Sequence, residues 1–110
     1  MRISDYLNDR RKIDISIKLG GEEETFWVAY KPNAWTYAKW AEVKDIEGID
    51  FLYAQAEVML IDWDLFDDDG RKIPIDAESM KKMGVSSKLL QIILSAVNED
   101  IAGDDESKND

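Results

Sequence analysis

The first third of the chain alternates apolar and polar residues with the period of a β-strand. In residues 12–19 every second side chain is apolar, which is typical of a strand with one buried face. Gly20-Gly21 follow and favour a tight turn, because glycine readily adopts positive φ. The next run, residues 25–30, is apolar on both faces. These features predict a β-hairpin over residues 12–31 that lies against helices, since an isolated hairpin is only marginally stable in water.

The middle of the chain has the periodicity of helices. Residues 34–45 predict a helix that Asn33 caps, with Trp40 on its buried side. Residues 49–63 carry few polar side chains and are apolar around most of a helical circumference. This pattern predicts a central helix that forms the spine of the core, with Trp63 buried at its end.

The second half of the chain predicts two more helices and an acidic tail. Residues 67–70, Asp-Asp-Asp-Gly, are a strong turn signal. Asp76 is suited to cap a short helix that ends near Gly84. Residues 86–101 are the clearest amphipathic helix of the chain, with leucine and isoleucine on one face. Residues 102–110 are acidic and have no apolar pattern, which predicts a flexible tail.

These elements predict one domain of the α+β class, mainly α. An N-terminal β-hairpin packs beside a bundle of three to four helices in residues 1–101, and residues 102–110 form the tail. The length of 110 residues and the apolar fraction of 45% suit one domain. The N-terminus lacks the pattern of a signal peptide, and no apolar run is long enough to span a bilayer. We therefore expect a cytoplasmic protein.

Composition argues against several classes of function. The 14 basic and 24 acidic residues give a net charge of −10, which is unfavourable for binding nucleic acid or a polybasic attachment to membranes. The chain has no His and no Cys, so the common zinc, haem and iron–sulfur ligands and His-based nucleophilic catalysis are absent. Residues 62–70 resemble a calcium loop only faintly, because Leu65 stands where the first carboxylate is required. We expect no bound metal or cofactor, and an enzyme would be restricted to carboxylate, Lys, Tyr or Ser chemistry.

Four side chains are candidates for contact with a protein partner. Trp27 lies on the second face of its strand, and Trp35 points away from the apolar face of its predicted helix; tryptophan is enriched at the centres of protein interfaces. Met80 and Met83 are flexible apolar side chains that suit an adaptable surface. Packing in the core is the competing interpretation for all four.

A stretch in the second half of the chain resembles a known family. A largely apolar helix reaches Trp63-Asp64-Leu65, an acidic turn ends at Gly70, and an extended piece with Pro74 leads to a short helix and then to the Leu- and Ile-rich helix of residues 86–101. This order of elements is similar to that of the tail assembly chaperones of long-tailed bacteriophages. The resemblance covers about residues 50–100.

The resemblance implies a non-enzyme that keeps other phage proteins soluble during tail assembly. Its expected partners are the long helical tape-measure protein and the tail-tube protein, in the host cytoplasm and not in the mature virion. An apolar groove suits exposed helices of such a client, and an acidic surface opposes aggregation. Two alternatives stay open, namely an acidic inhibitor or immunity-type protein that binds a basic partner and, ranked last, an enzyme that uses carboxylates. Self-association into a homo-oligomer, including pairing at the hairpin edge, also stays open.

Overall fold

A computed structural model describes the backbone of residues 1–109 and the side chains of residues 1–103. Within that range, five helices and a three-stranded antiparallel sheet form an α+β fold. Most of the predicted flexible tail, residues 102–110, lies outside the described side chains, and the tail stays a prediction. In chain order the elements are α1 (Ile3–Leu7), β1 (Arg11–Leu19), β2 (Glu22–Tyr30), α2 (Tyr37–Val43), α3 (Ile49–Met59), β3 (Leu60–Trp63), α4 (Ala77–Lys82) and α5 (Ser87–Asn109).

The predicted hairpin is confirmed. β1 and β2 pair antiparallel with Ile15 opposite Phe26. Gly20 and Gly21 have φ angles of 59° and 86°, so a two-residue turn with positive φ at both positions joins the strands. The acidic residues Glu22–Glu24 belong to β2 and are exposed there. The hairpin therefore extends up to the glycine turn, beyond the apolar part of its second strand.

The sheet has a third strand that the sequence pattern did not predict. The helix predicted over residues 49–63 ends at Met59, and the chain then forms β3, which pairs antiparallel with β2. Periodicity could not separate the two structures, because a short apolar run suits a buried strand as well as a buried helix. Carboxylates are unfavourable near a helix C-terminus. The early end of α3 keeps Asp62 and Asp64 out of its last turn.

The core lies between one face of the sheet and the helices α3, α4 and α5. Trp63 is fully buried, as predicted, and its indole N–H donates a hydrogen bond to the carbonyl of Ile73 at 2.7 Å. The hydroxyl of Tyr53 in α3 donates to the carbonyl of Val85 at 2.6 Å. These bonds satisfy the polar atoms of two large side chains inside the core. The other large, fully buried side chains are Tyr30, Met80, Leu90, Ile93, Val28 and Val97.

The helix predicted over residues 34–45 is shorter and begins later. α2 has seven residues, and Thr36 caps it by accepting a hydrogen bond from a backbone N–H of its first turn at 3.2 Å. The prediction that Asn33 is the cap is wrong. The side-chain amide of Asn33 instead donates to the carbonyl of Tyr6, so this residue connects the N-terminal helix α1 to the segment before α2.

The short helix after Asp76 and the long helix after Ser86 are confirmed. Asp76 accepts a hydrogen bond from the N–H of Ser79 at 2.8 Å, and this bond holds the pKa of its carboxyl below the usual value. Gly84 follows α4 with a φ of 91°, which suits a helix end. The hydroxyl of Ser86 accepts a hydrogen bond from the N–H of Leu89 at 3.1 Å. Both caps act within four residues of the chain, which is why the sequence predicts them well.

Trp63→Phe should destabilise the fold, because the variant loses the hydrogen bond to the carbonyl of Ile73 and leaves a void in the core. We expect the free energy of unfolding to fall by about 2–3 kcal/mol, as measured by urea unfolding followed by circular dichroism. Trp40→Phe is the matched control, since Trp40 is exposed and its replacement should change stability by less than about 0.5 kcal/mol. Equal losses in the two variants would contradict the core role of Trp63.

Tyr30 should make the fold sensitive to alkaline pH. Its side chain is buried, and its hydroxyl donates a hydrogen bond to the carboxylate of Asp100 in α5. Burial, followed by this hydrogen bond, raises the pKa of Tyr30 well above its ordinary value. The pKa of tyrosine in an unfolded chain is about 10, so the stabilisation is complete below that pH and is lost as the pH rises above it.

Tyr30→Phe tests this linkage. The variant should lose about 1 kcal/mol at neutral pH, where the hydrogen bond is intact in the wild type. It should then lose less stability than the wild type between about pH 10 and pH 12, as measured by urea unfolding at each pH. Tyr6→Phe, at an exposed tyrosine, should follow the wild type throughout. If Tyr30→Phe has the same alkaline decline as the wild type, the assigned titration is wrong.

Candidate protein-binding surface

Helix α2 and its connection to α3 expose large apolar side chains. α2 has no buried residue. Tyr37 is 79% exposed, Trp40 is 40% exposed, and their ring centroids are 5.5 Å apart. Ile46 lies in the connection, Ile49 begins α3, and both are exposed. We call these four side chains, Tyr37, Trp40, Ile46 and Ile49, the α2 surface.

Trp35 and Trp40 differ in burial, and the difference is the reverse of the predicted one. Trp35 packs against the core and meets Phe51 of α3 edge to face, with ring centroids 6.0 Å apart. The prediction that Trp40 belongs to the core is wrong. Trp35 already fills the space against α3, the helix on which α2 packs, and Trp40 is therefore left facing outward.

A groove of about 420 Å³ lies beside α2. It runs between α1, the segment 31–36 and α3, with Leu7 and Val58 as apolar walls and Glu57 as an acidic one. Lys39 of α2 also lines it. Thr36 and Lys39 thus bring a concavity of mixed polarity to the first turn of α2, and such a concavity suits the insertion of a partner's side chain.

Trp27 lies on the open face of the sheet, and lysines cover its ring. The ammonium nitrogen of Lys12 is 4.2 Å from the ring centroid, and that of Lys72 is 5.4 Å from it. Lys72 also forms an ion pair with Asp62 at 3.0 Å, which lowers the pKa of that carboxyl. The backbone N–H of Trp27 donates to the carboxylate of Asp64 at 2.7 Å. Trp27 is thus half-buried and held in place, and a partner would first have to displace the lysines.

The structure leaves Met80 no exposed surface for a partner. Its side chain is fully buried, and Met83 is half-buried and packed against the core. The adaptable methionine surface expected from the sequence is therefore corrected to a core contact for Met80, because α4 turns this residue toward α3 and the core while Lys81 and Lys82 face solvent. The more exposed aromatic pair on α2, Tyr37 and Trp40, is not among the candidates that the sequence indicates, and its periodicity places Trp40 on the buried side of the helix.

Hydrogen bonds and ion pairs within the segment hold the acidic turn predicted at residues 67–70. The carboxylate of Asp67 accepts hydrogen bonds from the N–H groups of Arg71 and Asp69, each at 2.9 Å. These bonds lower the pKa of Asp67. The guanidinium of Arg71 forms ion pairs with Asp67 at 3.3 Å and with Asp69 at 3.1 Å. Among the described residues, no group of three or more acidic side chains is placed to hold a metal ion.

Comparisons with known proteins found no matching family model, no similar curated protein and no similar solved structure. In the part of the chain that the structure describes, no helix is both long and apolar enough to cross a membrane.

Proposed function

We propose that this protein is an assembly chaperone that holds an apolar helical segment of a client protein on the α2 surface. The observation that carries the binding role is the exposed pair Tyr37 and Trp40, on a helix without a buried residue. Aromatic side chains are enriched among the residues that dominate binding energy at protein interfaces. The client is the tape-measure protein of a long-tailed phage or its tail-tube protein, and this step rests on the resemblance of residues 50–100.

The exposed parts of the two rings provide an apolar contribution to binding. A fully covered aromatic side chain buries on the order of 150–250 Å². At about 25 cal/mol per Å², covering the exposed parts of the two rings contributes on the order of 5 kcal/mol before the costs of association. A client helix packs the apolar residues of one face against these exposed side chains.

Charged side chains border the aromatic pair. The ammonium group of Lys44 lies 5.9 Å from the ring centroid of Trp40, and Lys39 forms an ion pair with Glu42 at 3.6 Å. An apolar centre with a charged rim is the usual composition of a protein interface. The net charge of −10 opposes non-specific aggregation of the chaperone while such a surface is exposed.

The double variant Tyr37→Ser/Trp40→Ser should lose client binding and keep its fold. In co-expression with the tape-measure protein, we expect the wild type to raise the soluble fraction of the client and the variant to leave it near the level without chaperone. Phe66→Ser is the control, because Phe66 is exposed but lies outside α2; it should behave as the wild type. Circular dichroism checks that all variants fold. A double variant that still protects the client would disprove the role of the α2 surface.

Salt distinguishes this proposal from binding to a basic partner through the acidic charge. An apolar interface should keep its affinity within about twofold when NaCl rises from about 50 to 500 mM, because screening affects charges and not apolar burial. An acidic inhibitor that binds a basic protein should lose more than about tenfold over the same range. Isothermal titration calorimetry at the two salt concentrations measures the affinity of the complex. A loss of affinity of more than about tenfold would favour the inhibitor.

A further inference from the structure

The outer edge of β1 has no strand beside it in the described part of the chain. The order β1-β2-β3 places the nine residues of β1 at one side of the sheet. In a two-residue hairpin, the pair that closes the turn exchanges both backbone hydrogen bonds, and here that pair is Leu19 and Glu22. Odd-numbered residues of β1 therefore bond to β2. The backbone groups that point to the free edge belong to Lys12, Asp14, Ser16 and Lys18.

A groove of about 560 Å³ runs between this edge and α5. β1 contributes residues 14–16, and α5 contributes a stripe of side chains that begins at Lys88, passes Ile92 and ends at Glu99. Ile92 is exposed, and Leu19 at the end of β1 is 59% exposed. An unpaired strand with apolar side chains beside it is a template for the addition of another strand.

We propose that the added strand is β1 of a second copy of this chain. The two strands pair antiparallel about a two-fold axis at Ser16, so that two three-stranded sheets become one sheet of six strands. In this register Asp14 lies opposite Lys18 of the partner subunit, and the symmetry forms this pair twice. Ile13 lies opposite Leu19 of the partner subunit, which covers the exposed leucine. Opposite charges directly across an antiparallel pair stabilise it.

Charge disfavours neighbouring registers with the same hydrogen-bond pattern. An axis at Ile15 places Lys12 opposite Lys18 of the partner subunit, twice. An axis at Asp14 brings two carboxylates directly opposite each other. Like charges in these positions destabilise an antiparallel pair. An axis at Ser16 avoids both conflicts.

Two further registers form fewer favourable contacts across the pair of strands. With the axis at Ile13, Lys12 pairs with Asp14 of the partner subunit, but Leu19 stays uncovered. With the axis at Ile17, Asp14 has no charged residue opposite it. The axis at Ser16 is the one of these five that combines two pairs of opposite charge with burial of Leu19.

The stripe on α5 is complementary to itself under the same symmetry. Two antiparallel copies side by side place Lys88 opposite Glu99 at both ends, with Ile92 and Ser95 between them. Serine and alanine at positions 95 and 96 are small, so the helices can approach closely. Residues 14–16 line the same groove as this stripe, and the proposal therefore places the strand pair and the helix pair on one two-fold axis.

Charge reversal tests the register. Asp14→Lys places Lys opposite Lys18 of the partner subunit twice, and Lys18→Asp places two carboxylates opposite each other twice. Each variant alone should dimerise about tenfold or more weakly than the wild type in analytical ultracentrifugation. An equimolar mixture of the two should recover the dimer, because every reversed residue then faces its opposite charge. Circular dichroism of each variant confirms that it folds.

A wild type that stays monomeric up to about millimolar concentration, where even weak specific pairs associate, overturns the proposal. Folded single variants that dimerise as well as the wild type also overturn it, as does a mixture that stays monomeric. Because the dimer uses β1 and α5, its failure would leave client binding by the α2 surface untouched.

A single cysteine gives a second test that does not depend on the charge variants. The chain has no Cys, so Ser16→Cys places its one thiol at the proposed axis. The Cα atoms of a hydrogen-bonded antiparallel pair are about 5.5 Å apart, within the range that a disulfide bridges. Mild oxidation should yield a covalent dimer. Thr25→Cys, opposite residue 16 on the inner strand β2, is the control; equal cross-linking of the two variants would exclude the proposed register.

Discussion

The pairing of β3 with β2 is the contact on which the rest of the structure depends. It brings Trp63 into the centre of the core, where the indole N–H bonds to the carbonyl of Ile73. It also places Asp64 where its carboxylate accepts the N–H of Trp27. Because β3 occupies one edge of β2 and β1 the other, β2 becomes the central strand of the sheet. β1 is left at the edge.

The same pairing separates two surfaces with different proposed roles. β3 forms the sheet edge opposite to β1 and contacts α3. α2 packs on α3 outside the core, where Tyr37 and Trp40 stay exposed. The free edge of β1 and the stripe on α5 lie elsewhere. A dimer through β1 would therefore carry two α2 surfaces, and a long helical client that reaches both would bind more tightly than to either alone, because the second contact is intramolecular.

The acidic residues are divided between structural and solvated positions. Asp76 caps α4, and Asp67 closes its own turn, with pKa values lowered by the backbone N–H groups that they bind. Asp62 is paired with Lys72. Glu22–Glu24 are exposed at the end of the hairpin. Capping and solubility thus account for much of the net charge of −10. The exposed apolar side chains of α2 are therefore the stronger candidate for binding a partner.

The sequence by itself determined the elements whose signals are local. The alternation of β1 and the glycine turn specify the hairpin, and the cap at Asp76 and the leucine and isoleucine spacing of α5 specify two helices, because each signal acts over a few residues. Tertiary structure decided which apolar residues are buried. Residues 60–63 form a strand because they pair with the edge of β2. Trp35 packs against Phe51 of α3, and Trp40, which the periodicity places on the buried side of its helix, is exposed. Which residues are buried depends on contacts between elements that are distant in sequence. A local sequence pattern contains no information about these contacts.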